Sequence, residues 1–157
     1  MDEQTYLDSV QACEGSLYRV SRSILWNDAD CADAVQQTVF KGWIHLNQLE
    51  DREKFQSWIM SILVNECRTL QRKNMRHMNV VQAVAEKIKT GSPSGVSNME
   101  LAEALKALPE HYRLPILLHY MEGYSVREIA SILGVSEKSV SERMYRGRRK
   151  LEEALKR

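Results

Sequence analysis

Between Glu137 and Lys150 the chain reads EKSVSERMYRGRRK, and its polar residues recur at the spacing of one helix face. With Val140 and Met144 turned inward, Lys138, Ser141, Glu142, Tyr145, Arg146 and Arg149 face outward. Those residue types suit non-covalent reading of a polyanion rather than bond-making. Ser141 and Glu142 lie near the helix start, where they can reach base edges; a glutamate accepts a hydrogen bond from cytosine N4, whereas arginine favours guanine. Arg146, Arg148, Arg149 and Lys150 suit phosphates, which fix position without carrying sequence. Each such contact would steepen the log–log fall of affinity with salt by roughly 0.9.

The elements that must hold this face are written just upstream. Ser125 with Glu128 three residues later is a capping box, so a first helix starts there with its backbone donors satisfied. Ile129, Ile132 and Leu133 point inward, and Ala130 is small enough for a second helix to cross closely. Gly134 can take the positive φ of a tight inter-helix turn, and Ser136 can cap the helix that follows. Ala130, Gly134 and Val140 together give the helix-turn-helix spacing, in which the second helix enters the major groove. On this pattern alone a purely structural αα-hairpin remains an alternative.

The rest of the chain predicts an all-α fold: two small helical bundles joined by a flexible linker. Apolar residues recur at three and four almost everywhere, not at two. Tyr6, Val10, Cys13, Leu17, Val20, Ile24 and Leu25 predict a first helix, and Asn27-Asp28 ends it and caps a second. Val35, Val39, Trp43 and Leu46 predict the inner face of that second helix, and 47–53 an irregular loop. Phe55, Trp58, Ile59, Ile62 and Leu63 predict a third, running into Arg68, Arg72, Lys73 and Arg76; 74–89 is helical but weakly patterned. KTGSPSGVSN, residues 89–98, has linker composition. Domains are therefore expected at 1–88 and 99–157. In the second, Leu101, Leu105 and Leu108 predict a short helix, and Ile116, Leu117 and Tyr120 another that Gly123 stops.

Charge is distributed unevenly although the net is only +1. Residues 1–51 hold nine acids and three bases, 52–90 three acids and eight bases, and 143–157 two acids and seven bases. One acidic surface and two separated basic ones imply a protein contact and two polyanion contacts. Cys13, Cys31 and Cys67 are odd in number and unpaired in pattern, which fits a reducing compartment better than disulfides or zinc. The four histidines are scattered, so no metal or other cofactor is expected. No glycine-rich phosphate loop or nucleophile–base set points to an enzyme. No run approaches the roughly 18 apolar residues of a membrane span and no signal peptide opens the chain, so a cytoplasmic protein without direct membrane insertion is expected.

The segment LAEALKALPEHYR (Leu101–Arg113), then GYSVREIASILGVS and MYRGRRKL, resembles the promoter-recognition domain of extracytoplasmic-function sigma factors of bacterial RNA polymerase. Two N-terminal segments agree. DAVQQTVFKGW (Asp33–Trp43) resembles the part by which sigma factors grip the polymerase clamp, and FQSWIMSILVNECR (Phe55–Arg68) their helix for minus-ten recognition and melting.

The resemblance implies that Asp33, Gln36 and Gln37 contact core RNA polymerase; without it they read as a solvated polar face. It implies that Asn65 helps hold a base flipped from the minus-ten strand of promoter DNA, with the 49–55 loop completing the pocket. An amide pairs with a base edge as donor and acceptor together, and the pocket must offset an unstacking cost of a few kcal/mol. Trp58 reads as core, or as support for an unstacked strand. Arg68, Arg72, Lys73 and Arg76 would follow the phosphates of the melting duplex, and the helix-turn-helix would hold the minus-thirty-five element. An anti-sigma factor is implied as a further partner. Departures from the family pattern fall at Lys138-Ser139 and Ser141-Glu142, which are base-reading positions, and at Glu66 and Thr69 beside Asn65. A stand-alone helix-turn-helix regulator and a sigma-like decoy that binds only proteins are the competing functions.

Overall fold

A computed structural model describes residues 1–77 and 99–156, with the side chains of Arg76, His77 and Met99 outside that description. The chain divides into two compact units, Met1–Lys87 and Ile88–Arg157. Among the described residues every regular element is helical. The expected linker, 89–98, lies outside the described residues, as does most of the weakly patterned 74–89 stretch.

In the first unit, α1 spans Glu3–Leu25, α2 Asp28–Ile44 and α3 Phe55–His77. The Asp2 carboxylate accepts from the Thr5 amide and starts α1. Its buried stripe is Tyr6, Val10, Cys13, Leu17, Val20, Ser21 and Ile24. Trp26 ends it in the left-handed region (φ 64°), which turns the chain back, and the Asn27 side chain then caps α2 by accepting from the Asp30 amide at 3.1 Å. Each buried leucine-sized side chain contributes about 1.5–3 kcal/mol relative to exposure. Burial also pushes the Cys13 and Cys31 thiols up, leaving them as inert core residues.

The inner face of α2 differs from the expected one. Cys31, Ala34, Val35, Thr38 and Gly42 are buried, whereas Val39 is half-buried and Trp43 is 43% exposed. The cause is steric. A Cβ on Gly42 would lie 2.5 Å from the Tyr6 Oη and 2.6 Å from Ile59 Cδ1, so α2 meets its neighbours through small residues. Trp43 is displaced to the rim, its ring 5.3 Å from that of Tyr6. Tyr6 itself is 1% exposed, donates its hydroxyl to the Val39 carbonyl, and is pushed up to about 12 by burial, so it stays neutral. The 47–53 segment is also more ordered than expected, with short 3₁₀ turns at Leu46–Gln48 and Arg52–Lys54; the Asp51 side chain caps the second.

In the second unit, α4 spans Met99–Ala107, α5 Glu110–Tyr120, α6 Val126–Leu133 and α7 Glu137–Leu155, with α7 packed against the other three. Arg113 explains part of its motif. It is 6% exposed and donates to the Leu108 carbonyl at 2.8 Å and the Lys106 carbonyl at 3.4 Å, satisfying oxygens where α4 ends. Gly147 lets α7 cross α5 closely, since a Cβ there would meet Ile116 Cδ1 at 2.6 Å and Tyr112 Cβ at 3.2 Å. Leu101 is 43% exposed and Tyr120 58%, so neither belongs to the inner face that helical spacing assigned it.

Gly42→Val should overpack the junction of α1, α2 and α3 and cost about 1–3 kcal/mol. Urea denaturation followed by far-UV circular dichroism should show the loss as a lowered midpoint.

Candidate nucleic-acid interface

The C-terminal site starts from two caps. Ser125 Oγ accepts from the Glu128 amide at 3.1 Å while Glu128 Oε1 accepts from the Ser125 amide at 3.0 Å, completing the capping box of α6. Gly134 then takes φ 70°, ψ 34°, and Ser136 Oγ accepts from the Ser139 amide at 3.0 Å to start α7. Ile129, Ala130, Ile132 and Leu133 are buried on α6, and Val140 and Met144 on α7. Burial of that pair fixes the rotation of α7, so Lys138, Ser141, Glu142, Tyr145, Arg146 and Arg149 are all exposed.

Two tyrosines hold guanidinium groups here. Arg149 donates to Tyr145 Oη at 2.9 Å and lies 5.7 Å from that ring's centroid. Arg148 donates to the Oη of Tyr120, at the end of α5, at 2.8 Å. Lys150 Nζ sits 5.8 Å from the Tyr112 ring centroid. Helical spacing brought out the cations, but the contribution of α5 could not be read from α7.

The N-terminal unit presents two further polar stripes. On α3, Asn65, Thr69, Arg72 and Lys73 are exposed and Arg68 is half-buried, while the Arg76 side chain lies outside the described residues. Trp58 and Ile62 lie on the same side and are half-buried, so Trp58 is not fully core; its ring is 6.0 Å from that of Phe55. Glu66, one residue past Asn65, turns toward α2 and forms an ion pair with Lys41. On α2, Asp33, Gln36 and Gln37 share an exposed stripe that Phe40 (59% exposed) and Ile44 (54%) continue. The sequence reading missed those two. The signal was present: 33, 37, 40 and 44 lie one turn apart, and the last two are apolar without being needed by the core.

A helix-turn-helix with a cationic second helix is an architecture of DNA-binding proteins, and a separate helical unit carries a second basic face. Residues 10–77 match Sigma-70 region 2 and residues 98–151 match Sigma-70, region 4. The RNA polymerase sigma factor SigV of Bacillus subtilis (strain 168) is 30% identical over 129 residues, covering 82% of this chain and 78% of that protein. The ECF RNA polymerase sigma factor SigW of the same organism is 24% identical over 170 residues, covering 99% and 91%. Among solved structures, the sigma factor RpoE in complex with the anti-sigma factor NepR, from Bartonella quintana, superposes with a TM-score of 0.77 at 22% identity, covering 98% of each chain. CnrH in complex with the cytosolic domain of CnrY gives 0.74 at 25%, covering 99% of this chain and 90% of that one. The chain belongs to the sigma-70 family, in its extracytoplasmic-function branch, and it is an alternative sigma factor that directs transcription initiation.

Ser125→Ala removes one half of the capping box and should cost about 1 kcal/mol. Thermal unfolding of the full-length variant should show it as a lower midpoint, with Ser125→Thr close to wild type.

Proposed function

We propose that this sigma factor reads a promoter at two points whose spacing core RNA polymerase fixes. Residues 1–88 dock on the polymerase through Asp33, Gln36 and Gln37, with Phe40 and Ile44 adding apolar contact area. The same unit opens the minus-ten element, Asn65 accepting the flipped base and Arg68, Arg72, Lys73 and Arg76 following the strand. Residues 99–157 hold the minus-thirty-five duplex through Lys138, Ser141, Glu142, Tyr145, Arg146 and Arg149, and 89–98 joins the two. The observation that carries this reading is the separation of faces: Asn65 and Arg72 on α3, and Glu142, Tyr145, Arg146 and Arg149 on α7, are exposed and point away from the buried stripe of their helix.

Two weak contacts held at one distance act as a bivalent reader, so neither needs high affinity alone. The net charge of +1 fits that design, because free protein with no strong overall field stays off bulk DNA. Action is by binding alone, as a non-enzymatic initiation factor in the cytoplasm. No helix among the described residues is long and apolar enough to cross a membrane. An anti-sigma factor is the expected repressor, in line with the complexes in which the RpoE and CnrH structures were solved.

Run-off transcription with core polymerase and a genomic fragment library tests the reading. Transcripts starting at discrete promoters support it; no transcript and no binding to core polymerase overturn it. On a promoter so recovered, Arg146→Ala should weaken holoenzyme binding across sequences and lower the salt slope by about 1, whereas Glu142→Ala should relax preference at one minus-thirty-five base pair by about 1–3 kcal/mol. Unchanged slope for Arg146→Ala would remove that residue from the interface.

A further inference from the structure

Among the described residues, Lys41 with Glu66 and Asp30 with Asn74 form polar contacts between α2 and α3. Lys41 forms an ion pair with Glu66, whose side chain is only 11% exposed while that of Lys41 is 47% exposed. Toward the other end of α2, Asn74 Nδ2 donates to Asp30 Oδ2 at 2.8 Å. Elsewhere the two helices meet through small and apolar residues, as where Gly42 approaches Ile59. Apolar packing is non-directional and leaves small adjustments of register open even in a close-fitting joint, whereas a carboxylate nearly removed from water is satisfied over a narrower range of registers.

The positions of these contacts matter as much as their strength. Lys41 follows the exposed docking stripe of α2, one turn beyond Gln37 and next to Phe40. Glu66 borders the exposed face of α3, adjacent to Asn65. The ion pair therefore spans from the edge of one working surface to the edge of the other.

We propose that Lys41 and Glu66 are positioning residues that set the fine register of the promoter-opening face on the polymerase-docking helix, within the rotation that the buried stripes impose. This rests on the roles assigned above to α2 and α3. Docking on α2 reaches Asn65 through the direct α2–α3 joint as well as through α1, which packs on both. A joint free to slide by a fraction of a turn would leave polymerase affinity intact and misplace the base pocket. With Lys41 gone, Glu66 would also turn its charge outward beside the strand that Arg68 and Arg72 attract.

The test uses full-length protein with core polymerase and a promoter recovered with the wild type. Each variant is assayed on fully paired duplex and on the same fragment mispaired across the minus-ten segment. Lys41→Met and Glu66→Leu should each lower open-complex yield on duplex DNA at least tenfold. Yield on premelted DNA and the Kd for core polymerase should stay within about twofold, a factor of two being about 0.4 kcal/mol. The charge swap Lys41→Glu with Glu66→Lys should recover most duplex opening, and it serves as the informative variant if either single change fails to fold. Duplex opening equal to wild type in Lys41→Met overturns the proposal. So does a swap no better than the single variants, or a fall in polymerase binding that parallels the loss of opening. Wild-type protein that opens duplex while the variants match it sinks this inference alone; wild-type protein that never opens duplex sinks the assignment of α3 on which it rests.

Discussion

Each helix in this protein has one stripe that must leave water, and everything available for recognition is what that burial leaves over. On α7 the rule is visible at single residues: Val140 and Met144 are 0% and 3% exposed, and they set the rotation that turns Glu142, Arg146 and Arg149 outward. On α3, burial of Ile59, Leu63, Val64 and Cys67 leaves Asn65, Thr69 and Arg72 outside. At about 1.5–3 kcal/mol per buried side chain, core packing outweighs any preference of a surface residue for a particular direction. The recognition faces inherit their geometry from the cores.

Electrostatics then divides labour between those faces. The acidic excess of residues 1–51 accompanies an α2 stripe of Asp33, Gln36, Gln37, Phe40 and Ile44, a mixture suited to a protein partner and not to phosphates. The basic excess falls on α3 and α7. Because the two cationic faces belong to separate units, neither unit alone needs to discriminate a promoter from bulk DNA. In the proposed function, selectivity comes from requiring both at a set spacing, which the polymerase supplies. Lys41 and Glu66 form an ion pair between the α2 stripe and the polar face of α3, which in the proposed function would pass a docking constraint to a base-holding face.

Much of this was legible in the chain. The caps at Asn27, Ser125 and Ser136 and the turn at Gly134 were readable because each has a local cause: a side-chain acceptor beside orphan amides, or a residue that tolerates positive φ. The outward set on α7 was readable because two buried residues fix a helix's rotation. Trp43 was misjudged because its exposure depends on how closely α1 and α3 approach at Gly42, a fact of tertiary packing that helical spacing does not contain. The pairing of Arg148 with Tyr120, of Lys41 with Glu66 and of Asp30 with Asn74 was hidden for the same reason. Departures at Lys138-Ser139 and Ser141-Glu142 leave the fold intact, since all four lie outside the buried Val140–Met144 stripe.

In the proposed function α3 and α7 touch different promoter segments in one complex. Photo-crosslinking measures this directly, with a photoreactive side chain placed at Thr69 on α3 or at Lys138 on α7 of the full-length protein assembled with core polymerase. Thr69 should label only the melted strand near the start site and Lys138 only the upstream duplex, both lost when polymerase is withheld. Labelling of one shared segment from both positions, or equal labelling without polymerase, would contradict it.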